Sequence, residues 1–159
     1  MKNVRLLALA ALALITFACN SVDKNLVAKM QADTGTLAAY ISEMSTIDAS
    51  ATALLAQVNA APPAVQATEQ YVAVRERATA LCAKLQASLA QLTDAQTQLA
   101  ELSAAYSAGK TNTENAQKEY ALVADNYQNI GPLNARLREM VGEIGAELGG
   151  LAPAEKMTK

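Results

Sequence analysis

Two cysteines and a stack of glutamates are the residues of this sequence whose type and spacing suggest chemistry. Cys19 follows a short apolar stretch near the start of the chain, and Cys82 stands alone far downstream. Glu139, Glu143 and Glu147 recur every four residues, which places three carboxylates on one face of a helix. The sequence contains no histidine, so it lacks the usual general base near neutral pH and the commonest transition-metal ligand. We therefore predict no catalytic residue, no metal site and no cofactor, and expect that the protein is not an enzyme.

Cys82 lacks the partners that a reactive thiol needs. No histidine can activate it, and no second cysteine follows at the spacing of a redox pair. If the first two helices pair about Pro62 and Pro63, Cys82 lies opposite roughly residue 42, about 35 Å along the helix from Cys19. The Cα atoms of a disulfide are only about 4.4 to 6.8 Å apart. We predict that Cys82 is a half-buried packing residue.

The glutamates and the tyrosines have structural interpretations. Carboxylates on one helix without loop carbonyls form a poor calcium site. Counting back across a turn at Gly109 brings the glutamate stack near Arg75 and Arg77, so we predict salt bridges between helices. All five tyrosines occupy core positions of the helical repeat described below rather than a ligand pocket: Tyr40, Tyr71, Tyr106, Tyr120 and Tyr127.

The first nineteen residues have the layout of an export signal. Lys2 and Arg5 supply positive charge, residues 6–17 are apolar, and Ala18 places a small side chain before Cys19. The apolar stretch is shorter than the roughly 20 residues that a membrane-spanning helix needs. This segment resembles the signals of bacterial lipoproteins, whose lipobox ends in a cysteine that is diacylated on sulfur and becomes the first residue of the mature protein.

The resemblance implies a signal peptide of residues 1–18, lipidation of Cys19 and attachment to a membrane of the cell envelope through the acyl chains. By the sorting rule of enteric lipoproteins, Asn20 in place of an aspartate after the cysteine implies the outer membrane of a Gram-negative cell. The alternative is an ordinary secretory signal that is cleaved after Thr16-Phe17-Ala18 and releases a soluble protein starting at Cys19.

Composition indicates a folded, all-α chain. Hydrophobic residues make up 52% of the sequence and charged residues 18%, which is unlike a disordered polyampholyte. Aromatic residues account for only 4%, whereas sheets are enriched in aromatic and β-branched residues. The net charge of −2 offers no basic surface for nucleic acid.

Two breaks divide the mature chain into three helical segments. Pro62 and Pro63 cannot continue a helix, and residues 107–112 form a polar turn around Gly109. We predict helices at about residues 21–60, 64–107 and 113–149, within a helical domain of residues 19–151. Gly131-Pro132 falls inside the third segment without shifting its repeat, so a kink is expected at 131–132. Residues 152–159 are predicted to form a flexible tail.

Apolar residues recur every seven positions along each segment, as in coiled coils. The leading positions are Met30, Leu37, Met44, Ala51 and Val58 in the first segment, Tyr71, Ala78, Leu85, Leu92, Leu99 and Tyr106 in the second, and Tyr120, Tyr127, Asn134, Val141 and Leu148 in the third. With two short connections, the pattern predicts a long antiparallel up-down-up three-helix bundle with coiled-coil-like heptad seams. Several chains sharing these seams, as an oligomer, would show the same repeats.

A lipid-anchored helical bundle without catalytic residues favours a spacer or scaffold of the cell envelope. The chain resembles helical envelope lipoproteins such as the murein lipoprotein in its lipidated Cys19, its helical heptads and its lysine at Lys159. We predict a protein or cell-wall partner at the end of the bundle distant from the membrane, where Pro62 and the tail meet. The alternative function is a surface-exposed lipoprotein that binds host or environmental molecules.

Overall fold

The computed structural model describes residues 22–151, and this part of the chain is all-helical, as predicted. Within it lie five helices: α1 (Lys24–Asn59), α2 (Pro63–Gln66), α3 (Glu69–Ser107), α4 (Thr113–Asp125) and α5 (Ile130–Leu151). No strand occurs among these residues. The predicted signal peptide of residues 1–18, Cys19 and the predicted tail of residues 152–159 lie outside the described residues.

Side chains that are good helix caps define the starts of α1 and α4. Asp23 precedes α1, and its Oδ1 accepts the backbone N–H of Asn25 at 2.8 Å. Asn112 precedes α4, and its Oδ1 accepts the N–H of Asn115 at 2.8 Å. Each cap supplies an acceptor to a helix N-terminus whose first N–H groups have no partner within the helix. These hydrogen bonds explain why α1 begins directly after Asp23 and α4 directly after Asn112.

Gly109 ends α3 with a left-handed residue. Its φ is +68°, which an L side chain adopts only at a steric cost. The N–H of Gly109 donates to the carbonyl of Tyr106 at 2.9 Å, and the N–H of Lys110 donates to that of Ala105 at 2.9 Å. This pair of hydrogen bonds is a Schellman motif, which satisfies the last carbonyls of the helix. The turn predicted at residues 107–112 is therefore present.

The connection around the two prolines is longer than a simple corner. Pro62 is the N-cap of α2 and Pro63 its first residue, where the missing proline N–H costs no helical hydrogen bond. The chain then bends, and the backbone N–H of Tyr71 donates to Thr68 Oγ1 at 3.2 Å near the start of α3. The second predicted segment, at about residues 64–107, is thus divided into α2 and α3.

The third predicted segment is interrupted by a turn before Gly131 rather than by a kink at 131–132. Residues 126–129 separate α4 from α5, and Pro132 is the third residue of α5. Proline has no N–H to donate to the carbonyl of Gln128, so the helical hydrogen bonds are interrupted ahead of it. They resume where the N–H of Leu133 donates to the carbonyl of Asn129 at 3.1 Å.

The chain divides into two compact units, and α1 and α3 contribute residues to both. Among the described residues, unit 1 contains residues 22–36 and Ala95–Asn126, and unit 2 contains Leu37–Asp94 and residues 127–151. The core of unit 1 comprises Leu26, Met30, Ala95, Leu99, Leu102, Tyr106, Ala116 and Val123. The larger core of unit 2 includes Leu37, Met44, Ile47, Ala51, Val58, Tyr71, Ala78, Leu81, Leu85, Leu92, Leu137 and Ile144.

Contacts inside each unit show how α1 and α3 are paired. In unit 1 the N–H of Asp23 donates to the Tyr106 hydroxyl at 2.7 Å, and Gln96 Nε2 donates to the Thr34 carbonyl at 3.4 Å. The start of α1 thus lies beside the end of α3, and Thr34, further along α1, meets Gln96, earlier in α3, so the two helices are antiparallel there. In unit 2 the Tyr71 hydroxyl donates to the Val58 carbonyl at 2.9 Å.

The pairing of Cys82 with residue 42, expected from a two-residue corner, is wrong. The α1 residues close enough to shift the pKa of the Cys82 thiol are Asp48, through its charge, and Thr52, through a hydrogen bond. The connection of residues 60–68, which includes α2, is longer than a tight turn and shifts the register of α3 along α1. Sequence periodicity could not reveal this shift, because the same heptads are compatible with several registers.

The glycine at the end of α3 makes a testable contribution to stability. We expect Gly109→Ala to lower the free energy of unfolding by about 1 kcal/mol, because alanine resists a positive φ. Gly35 lies inside α1 with no atom near the position of a Cβ, so Gly35→Ala should instead raise the free energy of unfolding by about 0.5 to 1 kcal/mol. Urea unfolding followed by circular dichroism measures both. Equal effects of the two substitutions would contradict this account of the turn.

Candidate functional site

Cys19, the predicted site of lipidation, lies outside the described residues. Within unit 1, the backbone N–H of Asp23, just before α1, donates to the hydroxyl of Tyr106. That hydroxyl also forms a 2.8 Å hydrogen bond with Thr113 Oγ1. Tyr106 is almost fully buried, and its polar tip joins the starts of α1 and α4. Hydrogen bonds of one tyrosine thus connect α3 to the starts of α1 and α4.

A charged cluster in unit 1 surrounds Asp33 of α1. The Tyr120 hydroxyl donates a hydrogen bond to Asp33 Oδ2. Lys29 Nζ lies 3.3 Å from the same oxygen and 4.9 Å from the centre of the Tyr120 ring. The hydrogen bond with Tyr120 is the main reason why the pKa of Lys29 is raised, with Asp33 adding to the effect. Asp33 is therefore a paired carboxylate within the packed helices.

A second polar cluster, in unit 2, surrounds Asn134. This side chain is fully buried, and its Nδ2 donates to Glu43 Oε2 at 3.0 Å and to the Tyr40 carbonyl at 3.4 Å. Arg138 donates to the other oxygen of Glu43. The hydrogen bond from Asn134 is the largest cause of a lowered pKa of Glu43, followed by that from Arg138. A carboxylate held in its charged form in this way is a weak general base.

Asn134 also carries an unsatisfied acceptor. Its Oδ1 is buried and has no hydrogen-bond partner among the described residues. A buried polar atom without a partner costs about 1 to 3 kcal/mol. Because the amide also contacts Tyr40 and Glu43 of α1, the same residue fixes the position of α5 against α1 while lowering the stability of the core.

The predicted salt bridges between helices are present in unit 2, with one of the two arginines. Arg77 Nη1 lies 2.5 Å from Glu147 Oε1, and Arg77 Nη2 lies 3.7 Å from Glu143 Oε2. Arg75 instead stacks over the Tyr71 ring at 5.9 Å from its centre. Glu139 pairs with Arg136 of its own helix at 2.5 Å. The arginine and carboxylate side chains are substantially exposed, so these pairs contribute little to stability.

Cys82 is a buried core residue whose thiol has a raised pKa. Only 7% of its surface is exposed, which is more buried than the half-buried position that the sequence predicts. Burial raises the pKa of the thiol, the charge of Asp48 raises it further, and a hydrogen bond with Thr52 opposes the shift. The thiolate is the nucleophilic form of cysteine, so this environment disfavours nucleophilic chemistry.

An open groove in unit 1 is a surface feature that the sequence analysis missed. It lies between α3 and α4 and has a volume of about 420 Å³. Its apolar part is formed by Leu102, Ala105, Leu122 and Val123, and its polar part includes Glu101 and Glu119. We call it the Leu122 groove, because 70% of the Leu122 surface is exposed. In the sequence, the sign of this groove is that Leu122 falls outside the seven-residue repeat of its helix.

Residues 22–151 contain neither a cluster of metal ligands nor a membrane-spanning helix. No three His, Cys, Asp or Glu side chains in this range are grouped as a metal ion would require. Of the helices described, none combines the length and the apolar character needed to cross a bilayer. Comparisons with protein-family models, curated proteins and solved structures find no match for the chain.

The unsatisfied amide oxygen predicts an unusual mutational effect. Asn134→Leu should raise the free energy of unfolding by about 1 kcal/mol or more, because a leucine of similar volume needs no hydrogen bond. Asn134→Asp, which has the same shape, should lower it, because a second carboxylate would face Glu43. Thermal unfolding of both variants provides the measurement, and a clear loss of stability in Asn134→Leu would refute the argument.

The lowered pKa of Glu43 predicts a pH-dependent contribution to stability. The unfolded chain binds the proton more tightly than the folded chain, so the contribution is present above the unfolded pKa, about 4.3. It is lost as the pH falls through the lower folded pKa. Glu43→Gln should therefore reduce stability at pH 7 and flatten the acid dependence of the urea midpoint. The matched control is Glu76→Gln, which removes one exposed carboxylate of α3; identical effects of the two substitutions would contradict the prediction.

Proposed function

We propose that this chain is a bacterial lipoprotein, attached to the cell envelope through acyl chains on Cys19, that serves as a non-enzymatic helical spacer or scaffold for another envelope component. The observation that carries the proposal is the order of charged, apolar and small residues that ends at Ala18-Cys19. In this proposal residues 1–18 are removed, and Asn20 directs the protein to the outer membrane of a Gram-negative cell.

The proposed architecture is an antiparallel up-down-up three-helix bundle with coiled-coil-like seams. Burial of the leading heptad positions supports it. Met30, Leu37, Met44, Ala51 and Val58 of α1 are each at most 1% exposed, and the corresponding α3 residues, from Tyr71 to Tyr106, are each at most 2% exposed. The third segment is less regular, since Tyr120, Val141 and Leu148 are only half-buried. The antiparallel pairing of α1 and α3 within unit 1 is a second support.

The chemistry of the titratable groups supports a non-enzymatic role. A nucleophile or general base is activated by a pKa near the working pH and by an adjacent partner. Here the pKa of Cys82 is raised and that of Glu43 is lowered, so each moves away from neutral pH. The carboxylates of Asp33 and Glu43 are both engaged by cations and neutral donors. These groups stabilise contacts between helices rather than a reacting substrate.

A spacer needs a partner away from its anchor, and the proposal places one at the end of the bundle formed by the prolines and the tail. α5 is described to Leu151, and the sequence continues with Lys156 and Lys159. Lysines outside the helical repeat can be bound by a protein or by the cell wall without disturbing the packed helices. In this proposal the helices separate that contact from the membrane.

The anchor can be tested with the two cysteines as matched sites. The full chain is expressed in a bacterium that lipidates exported cysteines and is given a palmitate analogue that carries an alkyne. We expect labelling of the wild type and of Cys82→Ser, and none of Cys19→Ser, because Cys82 is buried. Mass spectrometry should find an N-terminal peptide that starts at diacylated Cys19. An unmodified Cys19, or label retained in Cys19→Ser, would overturn the proposal.

A further inference from the structure

The exposure of Leu122 is not explained by the packing of unit 1. The neighbouring Val123 is buried and so is Ala116, whereas Leu122 is 70% exposed. Only one other large hydrophobic side chain among the described residues, Val72, is classed as exposed, at 37%. Leu122 stands beside the apolar side chains of Leu102 and Ala105 in the Leu122 groove. An exposed apolar side chain in a concave apolar setting is typical of a docking surface.

The shape of the groove suits a helical segment. On α3 its lining residues Gln98, Glu101, Leu102 and Ala105 follow the spacing of one helix face, and the seven steps from Gln98 to Ala105 extend over about 10 Å. On α4 the facing residues are Glu119, Leu122 and Val123, again one face over one turn. Two parallel ridges separated by an apolar floor form the kind of groove that accepts the apolar face of an amphipathic helix.

Charge determines which kind of helix fits. Glu101 and Glu119 line opposite sides of the groove, one on α3 and one on α4, and no lysine or arginine lines it. Both glutamates are exposed, and neither belongs to any of the ion pairs found among the described residues. An incoming helix therefore meets two carboxylates that are free to pair with lysine or arginine side chains.

We propose that the Leu122 groove is the docking site for a basic amphipathic helix of a partner protein. The apolar face of that helix covers Leu122 and Leu102, and its flanking lysines or arginines pair with Glu101 and Glu119. This inference rests on the proposed scaffold function and names the chemistry of one partner. It concerns a surface of unit 1, whereas the partner proposed above contacts the tail.

The test uses the chain from residue 19 to residue 159 with Cys19→Ser, so that it keeps every described residue and carries no acyl chain. The probe is a fluorescent helical peptide of leucine and lysine with leucines on one face, compared with a peptide in which glutamate replaces every lysine. Fluorescence anisotropy should show binding of the leucine–lysine peptide and a steep loss of affinity with added salt. The glutamate peptide should not bind measurably.

Variants locate the binding. Leu122→Ser should weaken binding of the leucine–lysine peptide about tenfold, the effect of losing one buried leucine contact. Glu101→Gln combined with Glu119→Gln should weaken it and flatten its salt dependence. Val72→Ser and Glu76→Gln, exposed positions of unit 2, are the matched controls and should bind as the parent does. Circular dichroism should give the same helix content for all variants.

Four results would overturn the proposal. The first is equal binding of the two peptides, and the second is unchanged affinity in Leu122→Ser. The third is a parent chain that self-associates in light scattering and becomes monomeric in Leu122→Ser, which would assign the groove to a second copy. The fourth is loss of peptide binding in the lipidated protein alone, which would assign it to an acyl chain. An unlipidated Cys19 would instead overturn only the proposed anchor and leave the peptide result intact.

Discussion

Burial of an apolar stripe along two long helices is the constraint on which the rest of the structure depends. Isolated helices gain little stability from their own hydrogen bonds, so most of it must come from packing an apolar face. α1 and α3 each place a large side chain in the core about every seven residues, and Met30, Leu37, Leu85 and Leu99 are completely buried. The alanines of these stripes, Ala51, Ala78 and Ala95, are also buried, and small side chains allow helices to approach closely.

Polar residues within the stripes give the packing a single register. Asp33 is matched by Tyr120 and Lys29 in unit 1, and Asn134 is matched by Glu43 in unit 2. A buried polar side chain is tolerated only where its partner is present, so sliding one helix along another would leave both groups unpaired. This register has a cost in stability at Asn134, whose buried Oδ1 has no hydrogen-bond partner among the described residues. The tyrosines follow the same rule, since Tyr71 and Tyr106 place buried rings in the core and their hydroxyls on polar atoms.

The same packing leaves few places for function. Of the side chains that the sequence singles out for chemistry, Arg77 and Glu147 form a salt bridge between helices, and Cys82 is buried. Among residues 22–151, the most exposed large hydrophobic side chain is Leu122 in the groove of unit 1, and the helical repeat does not require it.

The sequence by itself determined the helical class, the positions of the turns around Pro62 and Gly109, and the leading heptad positions of α1 and α3, which are all buried. These features depend on local backbone chemistry and on a seven-residue period, and both can be read directly from the amino-acid sequence. The salt bridge of Arg77 could also be predicted, because it needs only the approximate distance of two residues from a shared turn. The anchor at Cys19 remains a prediction of the sequence, since that residue lies outside the described part of the chain.

Only the tertiary structure decided the register of α3 against α1, the break before Gly131 and the surroundings of Cys82. Residues 60–68 lengthen the first connection, and the number of residues that a connection uses is not expressed in the heptad pattern on either side of it. The break falls at residues 126–129 because the hydrogen bond that Pro132 cannot make belongs to the preceding turn. The Leu122 groove forms because residues of α3 and α4 face each other. The sequence shows a leucine at this position, but only the structure shows which side chains lie beside it.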